Sequence, residues 1–294
     1  MGDQIKKVLS IQSHVVSGYV GNKSASFPLQ VLGFEVDAVN SVQFSNHTGY
    51  GKWTGTILNS NELSDLIEGL RINDLLNYSH ILTGYVGSVS FLNQLYDVIR
   101  ELKSRNPNIT YVCDPVLGDN GKLYVPAELI PIYRDKILPL ADIATPNQFE
   151  AELLTGTEIN TEEEAKAAVD LLHAKGVGTV VISSSDLSKQ DVSLTAFISA
   201  AIGGEKYRID IPRLPYIFTG TGDLFSALLL AWMNIHEGQL RLAFEKTVCT
   251  LQDVLHRTSN YAAPNPSKKN LELRLVQSKD DIEKPKTQLK AVPW

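Results

Sequence analysis

The sequence predicts an α/β fold, a mainly parallel central sheet with helices on both faces. Two observations point there. Short apolar runs of strand length alternate with longer stretches of helical spacing along most of the chain. Such alternation gives parallel strands joined by helical crossovers, so both faces of the sheet are covered. The segments after the strand-like runs are also polar, glycine-bearing or acidic, as the ligand rim of an open parallel sheet should be.

Taken in order, residues 8–12 read as a buried strand and 24–32 as a short helix. Residues 35–40 form a second strand, and 62–72 a helix with Leu63, Leu66, Ile67 and Leu70 on one face. Residues 80–83 are a strand, and 90–104 a helix burying Phe91, Leu95, Val98, Ile99 and Leu102. The strands at 110–113 and 143–145 each end at a proline, Pro115 after Asp114 and Pro146 after Thr145. A helix over 161–175 carries Glu162, Glu163 and Glu164 in its first turn, which suits the helix dipole. A strand at 179–182 is followed by a hairpin of 194–199 and 207–211 across Gly203-Gly204. Two long helices, 223–234 and 240–257, come next. Residues 263–269 read as a surface loop, 271–276 as an added edge strand, and the chain from about Glu283 as a polar tail. One domain over 1–294 is expected.

Composition excludes several classes. The 294 residues are 43% hydrophobic and 20% charged, with a formal net charge of −6 and no basic stripe, which argues against a nucleic-acid binder. An anionic ligand then needs a local device: backbone amides, a helix N-terminus or a metal ion. No signal-peptide pattern and no bilayer-length apolar run is seen, so a soluble cytoplasmic protein is expected. Cys113 and Cys249 form no CxxC pair and read as small buried hydrophobes. No two of the six histidines have ligand spacing; His14 and His47 fall on the expected rim.

The sharpest feature is Thr219-Gly220-Thr221-Gly222-Asp223 before the apolar run 224–232. The glycines permit a tight turn and close backbone approach to a ligand. The buried helix opens its free N–H groups at 220–223, beside the positive end of its dipole, which makes a phosphoryl pocket. A carboxylate there can take a proton from an alcohol while the amides hold phosphoryl charge. The plainer reading makes Asp223 a helix cap, but two glycines flanking a threonine exceed what capping requires. Known phosphate loops do not fit: near Gly51-Lys52, Asn46 and Trp53 break the Walker A pattern, and Thr54 breaks the dinucleotide pattern. The segment 18–22 reads equally as a turn or as a ligand-facing loop.

A second constellation is acidic. Asp114 and Asp119 bracket a strand end, and Thr145, Asn147 and Glu150 follow the next strand. Carboxylates with Asn or Thr oxygens suit Mg²⁺ bridging nucleotide phosphates. Equally, Asn147 and Glu150 have the spacing of a helix capping box.

At this point the chain resembles the ribokinase-like kinases, through 219–232, and within them the pyridoxal kinase family. The second resemblance rests on residues 10–15, 18–22, 27–34, 40–50, 82–85, 113–119 and 145–154, which occur in the family's order. It runs from about 8 to 257, with a weaker echo over 271–281. It implies a ribokinase-like three-layer sandwich, usually dimeric, acting on ATP and vitamin B6 vitamers. Asp223 is then the base for the 5′-hydroxymethyl oxygen, and the amides of Gly220, Thr221, Gly222 and Asp223 the anion hole. Ser13 and Thr48 match residues that hydrogen-bond the pyridine ring; Val20, Val42, Phe44 and Tyr85 match its walls. Asp114, Asn147, Glu150 and Thr221 match residues near the nucleotide phosphates, and Asp114, Asp119, Thr145 and Glu150 match contributors to the cation sites. The cations implied are Mg²⁺ or Zn²⁺ with ATP, and K⁺ or Na⁺. Ser183 and Ser184 correspond to a nucleotide-contacting pair, Leu214, Pro215 and Tyr216 to the adenine flank, and Tyr124 to a closing loop. That loop, 119–124, is shorter than in some animal members. Two other readings stay open: a kinase for a hydroxymethylpyrimidine or a sugar, and a non-catalytic binder that keeps the fold.

Overall fold

The computed structural model describes residues 6–187 and 192–294. Strand β1 (Lys7–Val15) turns through residues 16–21 into helix α1 (Asn22–Val31). Strand β2 (Glu35–Phe44), the short β3 (Gly55–Ile57) and helix α2 (Ser60–Ile72) follow. Next come β4 (His80–Thr83), α3 (Val89–Arg105) and β5 (Thr110–Cys113). A small hairpin of β6 (Gly118–Asp119) and β7 (Lys122–Leu123) precedes the short α4 (Leu129–Ile132). The chain continues through β8 (Ile143–Ala144), α5 (Gln148–Thr155), α6 (Glu162–Ala174) and β9 (Thr179–Ser185). The hairpin β10 (Ser193–Ala200) and β11 (Lys206–Pro212) leads to the long helices α7 (Thr221–Ile235) and α8 (Leu240–Ala262). Helix α9 (Lys279–Glu283) and strand β12 (Val292–Pro293) complete the fold.

Ten strands form one sheet in the order β12-β11-β10-β9-β8-β5-β4-β1-β2-β3. The centre, from β9 through β8, β5, β4 and β1 to β2, is parallel; the added strands at both edges are antiparallel. The chain places β2 on one side of β1 and β4 on the other. The crevice between β1 and β4 is therefore a switch point, where ligands of open α/β sheets bind.

Strand residues divide between two cores, as the two-residue period of a strand demands. Leu9, Ile11, Ile81, Tyr111 and Cys113 face one side, with residues of α2, α3, α5 and α6. Val8, Leu82 and Val112 face the other, with residues of α1, α7 and α8. Helices thus cover both faces, the three-layer α/β architecture expected from the sequence.

The structure departs from expectation in three places. Strands β1, β2 and β9 run on to Val15, Phe44 and Ser185, so Ser13, His14, Ser41–Phe44, Ser183 and Ser184 belong to strand ends and not to rim loops. Residues 271–276 add no strand. Leu273 and Leu275 are buried in the second core, and Arg274 donates its N–H to Thr258 Oγ1 at 3.0 Å, so the segment crosses α8 as coil. Alternating leucines suit that path as well as they suit a strand. The edge is taken by the last residues, read from the sequence as a polar tail. β12 pairs with β11, and Trp294 packs on Phe197 with ring centroids 4.3 Å apart.

Candidate active site

The site begins where two glycine turns lock together. Gly220 has a left-handed φ of 84°, and a β-carbon on it would lie 2.1 Å from the Tyr19 carbonyl oxygen. Gly21 has φ 52°, and its β-carbon would lie 1.9 Å from the Ser13 carbonyl oxygen. Only glycine lets these backbones approach so closely. Ser24 Oγ donates to the Gly220 carbonyl at 3.0 Å, tying α1 to the start of α7. The Asn22 amide donates to Val39 O at 2.9 Å and Asn40 Oδ1 at 2.8 Å, anchoring the turn to β2. Helix α7 is buried from Leu224 to Trp232. Its free first-turn amides therefore open into the crevice, where an anion can sit.

Asp223, in that first turn, is partly open to the crevice. Burial pushes its carboxyl up from the ordinary carboxylate range, and the nearby Gly21 backbone N–H pulls the other way. Gly21 thus belongs to the site. The sequence left its turn open between two readings; only the fold brings it to Asp223.

Asp114 lies behind this pair. Burial and then the charges of Glu150 and Asp223 hold its carboxyl well above the usual range, while the Ser226 hydroxyl, donating at 3.1 Å, opposes them. Ser226 Oγ is also 2.8 Å from Thr145 Oγ1. The sequence reading passed it over, and its signal is a lone hydroxyl in the otherwise apolar run 224–232. Glu150 is pushed up to about 7 by burial, against the pull of the Asn147, Leu117 and Gly118 backbone amides. Its Oε2 accepts from Asn147 N–H at 2.9 Å and its Oε1 from Leu117 N–H at 2.9 Å. Asn147 caps α5 and Glu150 completes the capping box. The capping-box reading of the pair therefore holds, and the box also brings the Glu150 charge to bear on Asp114. Burial raises the Asp119 carboxyl too, opposed by the Asn120 amide. Tyr124, beyond β7, is exposed, yet the charges of Asp119 and Glu150 reach it and, after burial, raise its hydroxyl.

These carboxylates fit a hard cation. They are buried close together, and no Lys or Arg figures among the groups acting on Asp114 or Asp223. Among the described residues no three His, Cys, Asp or Glu side chains converge as a metal cage. Such a donor set offers oxygen alone, the ligand type that hard cations take, and leaves most positions to water.

Beside the α7 N-terminus a cavity of about 580 Å³ is lined by Ser183, Ser184, Leu214, Pro215, Tyr216 and Thr221, together with Gln252 and Leu255 of α8. Six residues expected at the nucleotide from three separate stretches of chain thus meet around one hollow. Of the residues expected at the ring, Val20 lies against Gly220 and Ser13 against Gly21. The β1–β2 register shifts at Gln12/Ser13, which sets Ser13 opposite Val42. Such bulges re-aim side chains at sites. Val20 and Val42 are buried, Phe44 is half-buried at the end of β2, and Thr48 is exposed in a short 3₁₀ turn. Tyr85 is half-buried, its carbonyl accepting from Ser41 Oγ at 2.7 Å.

A three-layer α/β fold in which the free first-turn amides of a buried helix open beside buried carboxyls and a cavity of this size is the arrangement expected of a small-molecule kinase of the ribokinase-like type. A family model described as phosphomethylpyrimidine kinase matches residues 72–264. The chain is 53% identical to a pyridoxal kinase of Sus scrofa, covering 99% of this chain and 96% of that one. It is 55% identical to a pyridoxal kinase of Arabidopsis thaliana, covering 97% and 94%. A solved pyridoxal kinase from Leishmania donovani, in complex with ADP and pyridoxine, superposes with a TM-score of 0.91 at 36% identity, covering 98% of this chain and 99% of that one. The chain belongs to the pyridoxal kinase family.

Proposed function

We propose that the protein transfers the γ-phosphoryl group of ATP to the 5′-hydroxymethyl group of pyridoxal, pyridoxine and pyridoxamine, with Asp223 as general base. The observation that supports this reading is a carboxyl, Asp223, in the first turn of α7, next to Thr221 and Gly222 of the cavity wall and close to the Gly21 turn. A carboxyl raised by burial is a better proton acceptor than an exposed one. The Gly21 amide holds it in place, so the base is oriented before substrate arrives. As the vitamer hydroxyl attacks in line, Asp223 takes its proton. The first-turn amides of Gly220, Thr221 and Gly222 face the phosphoryl oxygens on which charge develops.

Asp114, Asp119, Glu150 and Thr145 would hold Mg²⁺ or Zn²⁺ through oxygen and water, with a monovalent cation alongside. When bound, the divalent ion neutralises phosphate charge. Ser183, Ser184, Leu214, Pro215, Tyr216 and Thr221 hold the nucleotide, and Tyr124 closes over it. Ser13, Thr48, Val20, Val42, Phe44 and Tyr85 hold the pyridine ring. A homodimer and a cytoplasmic location belong to the same proposal. The first rests on resemblance to the family, the second on two buried free thiols, Cys113 and Cys249.

Asp223→Ala should lower kcat by about 10² to 10⁴, the range for loss of a general base, with ATP binding largely retained. Single-turnover phosphorylation of pyridoxal with titrated Mg-ATP measures both; near-normal turnover removes Asp223 from the role. The matching family model is described by a pyrimidine kinase, so hydroxymethylpyrimidine is the competing acceptor. Comparing kcat/KM for it and for pyridoxal decides between them.

A further inference from the structure

The coil that crosses α8 carries a carboxylate outside every role assigned so far. Glu272 joins three segments far apart in sequence. Its Oε2 accepts from the Tyr19 backbone N–H at 2.9 Å, and its Oε1 accepts from the Tyr50 hydroxyl at 3.0 Å. His47 Nε2 lies 3.2 Å from the same Oε1, and the side chains of His47 and Glu272 are only 10% and 12% exposed. The fit is close: a β-carbon on Gly18 would lie 2.5 Å from the Glu272 carboxylate oxygens. Lys268 adds a bond from the same stretch of chain, donating to the Gly49 carbonyl at 2.6 Å.

What Glu272 grips matters more than the grip. Tyr19 is two residues from Gly21, whose amide orients Asp223, and the Tyr19 carbonyl lies directly against Gly220. His47 and Tyr50 bracket Thr48, in the turn assigned to the ring. One buried carboxylate therefore fixes the turn that holds the base relative to the turn that holds the acceptor ring. None of the residues it touches lines the nucleotide cavity.

We infer that Glu272 is a positioning residue for the acceptor, setting the distance between the vitamer ring and the catalytic base. The inference rests on the kinase reading above. Its signature is a selective one, because a merely structural residue would disturb both substrates.

The test measures initial rates with pyridoxal and Mg-ATP for the wild-type chain, Glu272→Ala, Glu272→Gln and Tyr50→Phe. Glu272→Ala should raise KM for pyridoxal by about tenfold or more, the effect of losing charge-assisted hydrogen bonds, and leave KM for ATP within about twofold. Tyr50→Phe removes one donor and should raise KM for pyridoxal alone, by about threefold. Glu272→Gln keeps one acceptor oxygen and should fall between Ala and wild type. If Glu272→Ala does not fold, the other two variants carry the same selective shift. Equal rises in both KM values, or an unchanged KM for pyridoxal, overturn the inference. A wild-type chain that transfers no phosphate to pyridoxal overturns the kinase reading instead.

Discussion

At the scale of single residues, burial moves acids and bases in opposite directions, and both shifts have consequences. In the crevice it raises Asp114, Glu150 and Asp223, so these groups hold protons more tightly than exposed carboxyls do. Towards the other end of α7, beside Asn234, it lowers His80 to about 4, helped by the nearby charge of Lys6. His80 is 5% exposed, with Nδ1 2.8 Å from Ser79 Oγ. An unfolded histidine titrates near 6.5, so above that pH both states are neutral and the native state bears no penalty. As pH falls from about 6.5 towards 4, the unfolded chain takes up a proton that the native chain refuses, and stability declines. At pH 5 the loss should be about 2 kcal/mol relative to pH 8. His80→Asn should remove that share of the decline. Urea unfolding of both proteins at pH 8 and pH 5 measures it, and equal acid sensitivity would refute the assignment.

At the scale of elements, the start of α7 depends on a backbone that only glycine supplies. Gly220→Ala must either carry a β-carbon 2.1 Å from the Tyr19 carbonyl or push the turn at 18–21 away from Asp223, the proposed base. We expect a stability loss of at least about 1–2 kcal/mol, the cost of a left-handed conformation for a side-chain-bearing residue. A fall in kcat of tenfold or more should accompany it, about 1.4 kcal/mol of barrier. Gly222→Ala is the contrast: its φ is not positive and its β-carbon would meet only Asp114 Oδ2 at 3.6 Å, so stability should change by less than about 0.5 kcal/mol. Thermal melts of the two variants separate the cases. Elements of this kind were legible wherever one local signal decided them. The strands at 80–83 and 110–113 are as expected, because a short apolar run bounded by breakers has few other uses. The GTGD turn and the Asn147–Glu150 box were also readable, since glycine pairs and caps are local chemistry. Gly21, Ser226 and Glu272 were not. Each acts on a residue distant in sequence, and Ser226 and Glu272 sit in segments whose local pattern describes packing. The hairpin of β6 and β7 was also hidden, with two residues in each strand and no alternation to show it.

At the scale of the whole molecule, the sheet is closed by the end of the chain that composition made look dispensable. Half the residues from Glu283 on are polar and two more are prolines, yet Ala291 is fully buried in the core shared with α7 and α8. Asp253 of α8 accepts from the Lys286 N–H at 2.6 Å and from the Thr287 hydroxyl at 2.6 Å. Glu245 of α8 accepts from the Ala291 N–H at 3.0 Å, and the Trp294 N–H donates to Lys206 O at 3.1 Å. Removing residues 285–294 would uncover the β11 edge, expose Phe197 and leave Asp253 and Glu245 without these donors. An uncovered edge strand is also a template for association between chains. The truncated protein should melt at least about 5 °C lower, since each kcal/mol shifts Tm by about 2–4 °C in proteins of somewhat smaller size. It should also aggregate sooner on heating. None of the deleted residues lines the nucleotide cavity, so KM for ATP at 20 °C should stay within about twofold of the full chain. Scanning calorimetry with light scattering, run beside ATP kinetics, tests all three. An unchanged Tm would mean that the terminal strand covers the edge without stabilising it.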